Sequence, residues 1–429
     1  MQSMGGGIAG EHELRRIVVS EMHLRRWPAL VPDCTVIQIL RQLSDEEREA
    51  ECAALADFPA QASVEPSPNP RHIQARMADG IAFGWERHSE ASAATLFIAR
   101  GAEAALDPEA GEDVAAALRW MMALPGKVVR ATRMAIVSDE EAARALLPRF
   151  AFEQSDLVSC HVGGGARIWS DFHLREDGFG AVLVAANALR AGDLSRTVQR
   201  LQELGNYRNL ALLGLPVAQR GWKVLDRVER ELAALGERVG SCDVTDDALL
   251  REVTGLSMQL MTEAASSDFR MSATEAYARL VEERLEDLSI RPCPGFPSLA
   301  DFTQRRFLPA VRTCAAHRRR EQTLARRTAQ FISLFRTRVE TRIENQNGRL
   351  LHSMEKSITA QLRLQQLVEG LSVVALSYYG IGLLAYMLKG LEKTPLHLPA
   401  SIVVGGLTPV VVLAMWLVIH RLKKRILHQ

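Results

Sequence analysis

GLSVVALSYYGIGLLAYMLKG, residues 370–390, carries no charge between Glu369 and Lys389. About 19 residues at roughly 1.5 Å each form a rod of ~28 Å, close to the roughly 30 Å hydrocarbon core of a bilayer. A second uncharged run, LPASIVVGGLTPVVVLAMWLVI (398–419), follows after the short segment KGLEKTPLH. The mean hydropathy of the whole chain is only −0.03, so apolar content is concentrated here. Core helices of soluble domains usually keep a polar face, and these runs have none. The pair reads as a two-helix transmembrane hairpin, spans 370–388 and 398–420, with a basic tail at 421–429.

Basic residues orient the hairpin. Arg349, Lys356 and Arg363 precede the first span and Arg421, Lys423, Lys424 and Arg425 follow the second, whereas the loop sets Lys389 and Lys393 against Glu392. Both termini are expected in the cytoplasm, in a multi-pass protein of the inner membrane. The tail RLKKRILHQ suits an anionic leaflet, each Lys or Arg contributing about 1 kcal/mol near such a surface. The start, MQSMGGGIAGEHELRR, lacks the apolar run of a secretory signal. The 6 cysteines include no Cys-x-x-Cys pair, which fits reduced thiols and no structural zinc.

Upstream of the membrane, Phe331, Phe335, Val339, Ile343, Leu350, Met354, Ile358 and Leu362 form one apolar stripe, with Gln346-Asn347-Gly348 as the single soft spot. This predicts a long stalk helix over 310–369. Its spacing is nearer an eleven-residue than a seven-residue repeat, so the rod is fairly straight, and continued to 389 it would approach ~120 Å. Such a helix must bury its stripe against neighbouring helices or another copy of itself, and a coiled-coil-like homo-oligomer is the economical expectation. The arginines from Arg318 to Arg342 read as a solvated face paired with acidic helices at 226–237 and 282–287, since no aromatics are interleaved for base stacking.

From Leu194 to Pro309 the pattern is helical, with turn signals at Pro216, 241–247 and Ser266-Ser267. Residues 1–193 read as a mixed α/β domain. TVIQIL (35–40), IAFGWERH (81–88), ATLFIAR (94–100), KVVRATRMAIV (127–137) and LVSCHV (157–162) are strand-like, and 44–55 and 113–124 are helical. Ser44 and Glu47 make a capping box, and EPSPNP (65–70) is a proline-rich connection. The expected class is therefore α+β: an α/β domain, a helical domain with a very long stalk, and a transmembrane hairpin.

A net charge of +1 argues against a general nucleic-acid binder, so no nucleic-acid partner is expected. Within 157–189, strand patterns flank Gly163-Gly164-Gly165, with Ile168, Ser170, Phe172 and Leu174 alternating against Arg167, Trp169, Asp171 and His173. This predicts a hairpin, because a phosphate loop would need a following helix with Gly-Lys-Ser/Thr. Candidate ligand-binding residues are Gly163, Gly164, Gly165, Asp171 and His173. If WERHSE (85–90) is a strand, Glu86, His88 and Glu90 share a face that can hold a divalent cation, although a solvated strand face is the commoner explanation of such a pattern. Cys160 and His161 point to opposite strand faces, and Gly-x-Ser-x-Gly is absent, so no catalytic residue is named and no cofactor is expected beyond that cation. In the spans, Ser372, Ser377, Tyr379, Gly380 and Gly382 are candidates for helix packing or for lining a pore.

WERHSE, LVSCHVGGGARIWSDFHLREDGFG (157–180), QRLQELGNYRNLALLGLPVA (199–218), RRFLPAVRTC (305–314) and RTRVETRIENQNGRLLHSMEKS (336–357) together resemble domain-of-unknown-function family 3422 of bacteria. That family implies no established activity. The architecture is also similar to CorA-type divalent-cation channels, which implies a pentamer. Their Tyr-Gly-Met-Asn signature is replaced here by Tyr379-Gly380-Ile381-Gly382. Three readings follow: a non-enzymatic oligomeric scaffold or sensor on the membrane, a CorA-like channel, and a tethered enzyme or ligand-binding module around 157–180.

Overall fold

The computed structural model describes residues 11–15, 18–19, 27–59, 62–65, 71–99, 101–109, 111–239, 245–391 and 400–426. The glycine-rich start, the proline-rich connection beyond Glu65, residues 241–244, the loop between the apolar runs and the last tail residues lie outside these. The chain divides into two compact units, Met1–Val244 with Arg251–Ile332, and Thr245–Leu250 with Ser333–Gln429.

The first unit is built on β1, Cys34–Gln42, whose alternation faces two cores. Val36 and Leu40 enter one and Ile37 and Ile39 the other, so the strand reads as a nearly continuous apolar run. Around it stand β2 (Ser63–Glu65), β3 (His72–Ala78), β4 (Ile81–Arg87), β5 (Ala91–Ile98), β6 (Lys127–Val137), β7 (Val158–Val162), β8 (Ala166–Ser170), β9 (Gly180–Ala185) and β10 (Arg291–Pro292). The ten described strands form one sheet in the order β10-β7-β8-β9-β6-β1-β5-β4-β3-β2. β6 pairs with β9 in parallel and the other pairings are antiparallel.

Helices cover both faces. On one lie α1 (Asp45–Ala56) and α2 (Glu112–Met122), which bury Leu55, Leu118 and Met121, while α3 (Glu140–Leu146) caps a satellite core with Phe150 and Phe152. The Ser44–Glu47 capping box starts α1. The opposite face takes α4 (Ala191–Leu212), followed by α5 (Gly214–Arg238) and α6 (Asp246–Asp287). Leu194, Val198 and Leu204 of α4 and Tyr277 and Val281 of α6 enter the larger core there. A short α7 (Leu299–Phe302) and a π-helical turn, Thr303–Phe307, lead into α8, Leu308–Leu391, and α9 spans Ala400–Ile426.

The mixed α+β class and the long helix agree with the sequence reading, and α8 runs through Gln346–Gly348 without a break. Several local expectations change. β4 ends at Arg87, and the His88 amide donates to the Ala91 carbonyl (2.8 Å) in a tight turn, so Glu86, His88 and Glu90 share no strand face. β8 stops at Ser170 because Phe172 adopts a left-handed φ of 54°. Ser266-Ser267 breaks nothing: the Ser266 hydroxyl donates to the Glu263 carbonyl (2.8 Å), and Ser267 Oγ bonds to the Glu321 carboxylate (3.3 Å) inside one continuous α6. The arginines find acids in only one of the two expected segments: Arg320 pairs with Asp226 and Glu229, Arg318 turns instead to Asp268 and Glu275, and among the described residues none of them pairs with 282–287. In the second unit, Arg338 and Arg342 reach Asp246 at 3.5 and 3.7 Å.

The triple glycine is the predicted β7–β8 hairpin, with φ of 59° at Gly163 and 88° at Gly164. A Cβ at Gly163 would stand 2.1 Å from Thr197 Oγ1 on α4, so strand and helix approach too closely for any other residue. Gly163→Ala should therefore destabilise the protein by about 2–4 kcal/mol, from left-handed strain plus overpacking, read as a lower thermal midpoint in detergent. Gly164→Ala meets no neighbour within 4 Å and should cost clearly less.

Candidate functional site

Alternation sets Gln38 between Val36 and Leu40 on the α4-facing side of β1, and Arg130 and Thr132 in line with Met134 and Ile136 on neighbouring β6. Helix α4 adds Gln202 and Asn206. Arg130 Nη1 donates to Gln202 Oε1 (2.5 Å), to Asn206 Oδ1 (3.0 Å) and, more loosely, to Gln38 Oε1 (3.4 Å). Asn206 Nδ2 donates to Gln38 Oε1 (2.9 Å), Gln38 Nε2 to Thr95 Oγ1 (3.0 Å), and Thr132 Oγ1 to Gln202 Oε1 (3.1 Å). A polar seam thus crosses an otherwise apolar interface, and every acceptor given to the Arg130 cation is a neutral amide.

Leu201, Leu204, Gly205 and Arg208 stand at helical positions i, i+3, i+4 and i+7, one face of α4. Arg208 is 9% exposed, and its guanidinium lies over the rings of Phe172 (4.5 Å) and Phe302 (5.3 Å), which are themselves stacked at 4.4 Å. Phe172 takes the left-handed conformation that ends β8; its amide donates to Ser170 Oγ (3.2 Å). Phe302 immediately precedes the π-helical turn. Strained backbone and π-turns both concentrate at functional positions. Among the described residues Arg208 has no carboxylate partner.

Both arginines remain cations at neutral pH. Burial, reinforced by the charge of Arg208, pushes Arg130 down to about 9, and burial pushes Arg208 to about 10. A buried charge without a counter-ion costs several kcal/mol, and a desolvated cation–π contact returns about 2. The two guanidiniums border a small cavity of about 30 Å³, lined otherwise by Met134, Ile168, Val182 and Leu204 among others, with no acidic side chain in its wall.

The residues singled out in the sequence lie elsewhere. Glu86 sits opposite His72 on β3, with 3.8 Å between its Oε1 and the imidazole Nδ1, and the His88 ring meets Tyr207 edge-on. Glu90, 5% exposed, is gripped by both terminal Nη nitrogens of Arg270 and accepts from Gln42 Nε2 (3.0 Å). No group of three or more His, Cys, Asp or Glu among the described residues is placed to hold a metal ion. The Gly163 amide is committed to the Leu288 carbonyl (2.8 Å) and the Gly165 amide to Val162 (3.2 Å). Buried Asp171 caps its own turn: it accepts from the His173 amide (3.2 Å) and the Glu153 amide (3.0 Å), and pairs with Arg175 (3.0 Å). His173 faces Asp156 at 3.2 Å. In the apolar helices, Ser372 bonds back to the Val368 carbonyl, Ser377 is buried with its hydroxyl unmatched, and a Cβ at Gly380 would lie 3.6 Å from Val411. Tyr379 is exposed, and nothing lies within 4 Å of a Cβ built at Gly382.

Sequence reading missed Arg130 and Arg208. The available signal was an arginine on the apolar face of an amphipathic helix, beside the one glycine that makes room: a Cβ at Gly205 would stand 2.6 Å from Arg130 Cζ.

Glu90 gives the test of the neighbouring ion pair. Arg270→Met alone should destabilise the protein by about 3–5 kcal/mol by stranding a buried carboxylate, whereas Arg270→Met with Glu90→Gln should recover most of that loss, measured by thermal unfolding of the two variants.

No curated protein and no solved structure matches this chain. The family described as "Protein of unknown function (DUF3422)" matches residues 10–426, nearly the whole length, and the chain belongs to that family.

Proposed function

We propose that this protein is a two-span protein of the inner membrane whose sheet and helices form a cytoplasmic module, displayed as a homo-oligomeric scaffold or sensor. The observation that carries this reading is exposed apolar surface. Two helices are long and apolar enough to cross a membrane; in their most apolar windows, with mean hydropathies of 1.7 and 2.5, 6% of one and none of the other is buried. A core helix of a soluble protein would be covered. Leu371, Val374, Leu383 and Met387 on α8, and Ile402, Val410 and Leu413 on α9, all stand exposed, and lipid is the solvent that suits them.

Ahead of the apolar window, Leu350, Met354, Ile358 and Leu362 are exposed along one side of α8, whereas Phe335 lower on the same stripe is buried. A second copy of the stalk is the proposed cover, because an isolated helix gains no stability from an apolar face left in water. The polar loop between the spans would lie outside and both termini inside, as the basic flanks favour. Scaffolding or sensing is preferred over catalysis because Asp171, His173, Glu86 and Glu90 are each engaged in local structural contacts.

Fractionation and mass measurement test the reading together. The protein should stay in the membrane pellet through alkaline carbonate washing and dissolve in detergent as an oligomer, and Met354→Glu with Ile358→Glu should shift it to monomer without releasing it from the membrane. Recovery of wild-type protein in the carbonate supernatant sinks the membrane reading; a wild-type monomer in detergent sinks the stalk. A closed ring that passes divalent cations in vesicles replaces the scaffold with a CorA-like channel.

A further inference from the structure

We propose that Arg130, half-buried, and Arg208, nine-tenths buried, form a binding site for a phosphate-sized dianion at a small cavity between β6, β8 and α4. The inference is independent of the membrane reading, since it concerns the interior of the first unit alone.

Donor accounting points to the charge of the occupant. Arg130 spends Nη1 on three amide oxygens, while Arg208, stacked on two phenylalanines, has no hydrogen-bond acceptor among the described residues. A guanidinium presents five N–H donors in a fork that matches an oxyanion, and Arg208 is nine-tenths buried at the cavity wall. Two cations flanking one cavity without an acid are balanced by a dianion and only half balanced by chloride. Desolvation and, after it, the charge of Arg208 depress Arg130, and an anion between the two would relieve the second.

Size sets the second limit. The cavity, about 30 Å³, exceeds the roughly 10–15 Å³ that one water needs and accepts a single compact group. Besides the arginines the one polar side chain among the described residues of its wall is Ser170, whose hydroxyl already donates to the Ala181 carbonyl (2.8 Å), so little is offered to a nucleoside or sugar. The occupant is therefore an inorganic oxyanion. Gly205 is part of the site, because any side chain there would collide with the Arg130 guanidinium, and Phe172 is held in left-handed strain with its ring against Arg208.

The test uses the full chain in detergent, in gluconate buffer of fixed ionic strength, titrated with inorganic phosphate, sulfate or chloride while the thermal midpoint is read. Phosphate or sulfate should raise the midpoint saturably, and chloride should not. Arg208→Lys, which keeps the charge and loses the fork, should weaken the apparent affinity by roughly 10- to 100-fold. Arg208→Met should abolish the response while leaving the midpoint in gluconate at or above that of the wild type, because an apolar side chain removes an uncompensated charge. Should Arg208→Met fail to fold or unfold at lower temperature in gluconate, the arginine is a structural element and the proposal falls. A saturable response to chloride alone overturns the dianion, and equal responses to every anion in wild type and Arg208→Lys, or none in either, overturn the site.

Discussion

A guanidinium placed where β1, β6 and α4 meet constrains everything around it. Arg130 enters an interface otherwise built from Val36, Leu40, Met134, Ile136, Leu201 and Leu204, where an unmatched charge would cost several kcal/mol. Gln38, Thr132, Gln202 and Asn206 are consequently fixed in place, each bonded within the seam. Their geometry sets the registration of α4 on the sheet, since sliding the helix by one residue would swing Gln202 and Asn206 by roughly 100° away from Arg130. The seam supplies specificity of packing that the apolar residues alone would leave loose.

The same helix explains why the hairpin at Gly163 is made of glycine. With α4 drawn onto the sheet, Thr197 rests against the β7–β8 turn, and its hydroxyl bonds back to the Asp193 carbonyl at 2.8 Å. A second close approach occurs at Gly221 on α5, where an added Cβ would meet the imidazole of His317 at 2.2 Å and Glu263 at 2.3 Å. His317 is fully buried, and desolvation holds its imidazole below its ordinary range despite the nearby Glu263. Burial raises the Glu321 carboxyl on the same stretch of α8. The helical layer thus repeats the pattern of the sheet, with ionisable groups buried among helices brought close by glycine.

How much of this was legible in the residues depended on the range of the interaction. The capping box at Ser44, the eleven residues of β6 and the glycine hairpin are local, and each is written in spacing or turn chemistry. The strand ending at Ser170 was not, because Ile168, Ser170, Phe172 and Leu174 keep the alternation that would continue it; the break comes from Asp171 turning its carboxylate onto the His173 amide and from Phe172 stacking on Phe302, 130 positions away by their numbers. Ser266-Ser267 misread as a turn for the same reason, since the partner that accommodates Ser267 is Glu321 on a distant helix. β2 has only three residues and carries no period, whereas β3 does alternate Ile73, Ala75 and Met77 against Gln74 and Arg76, a strand pattern that the sequence reading missed.

The candidate site lay wholly in that non-local category. Metal-like residues attract attention in a sequence because Glu, His and Asp are the usual ligands, yet Glu90 is matched by Arg270, Glu86 sits against His72, and Asp171 ties down a turn. Arginine draws less notice, since an exposed arginine needs no explanation. What separates Arg208 from the arginines of α8 is burial without a carboxylate: Arg318, Arg320, Arg338 and Arg342 are partly exposed and each has a carboxylate within reach, whereas Arg208 is nine-tenths buried against two aromatic rings and a cavity. Two cations that border the same small space, with no acid among the described residues of its wall, make that space a place where an anion would add to the stability of the fold.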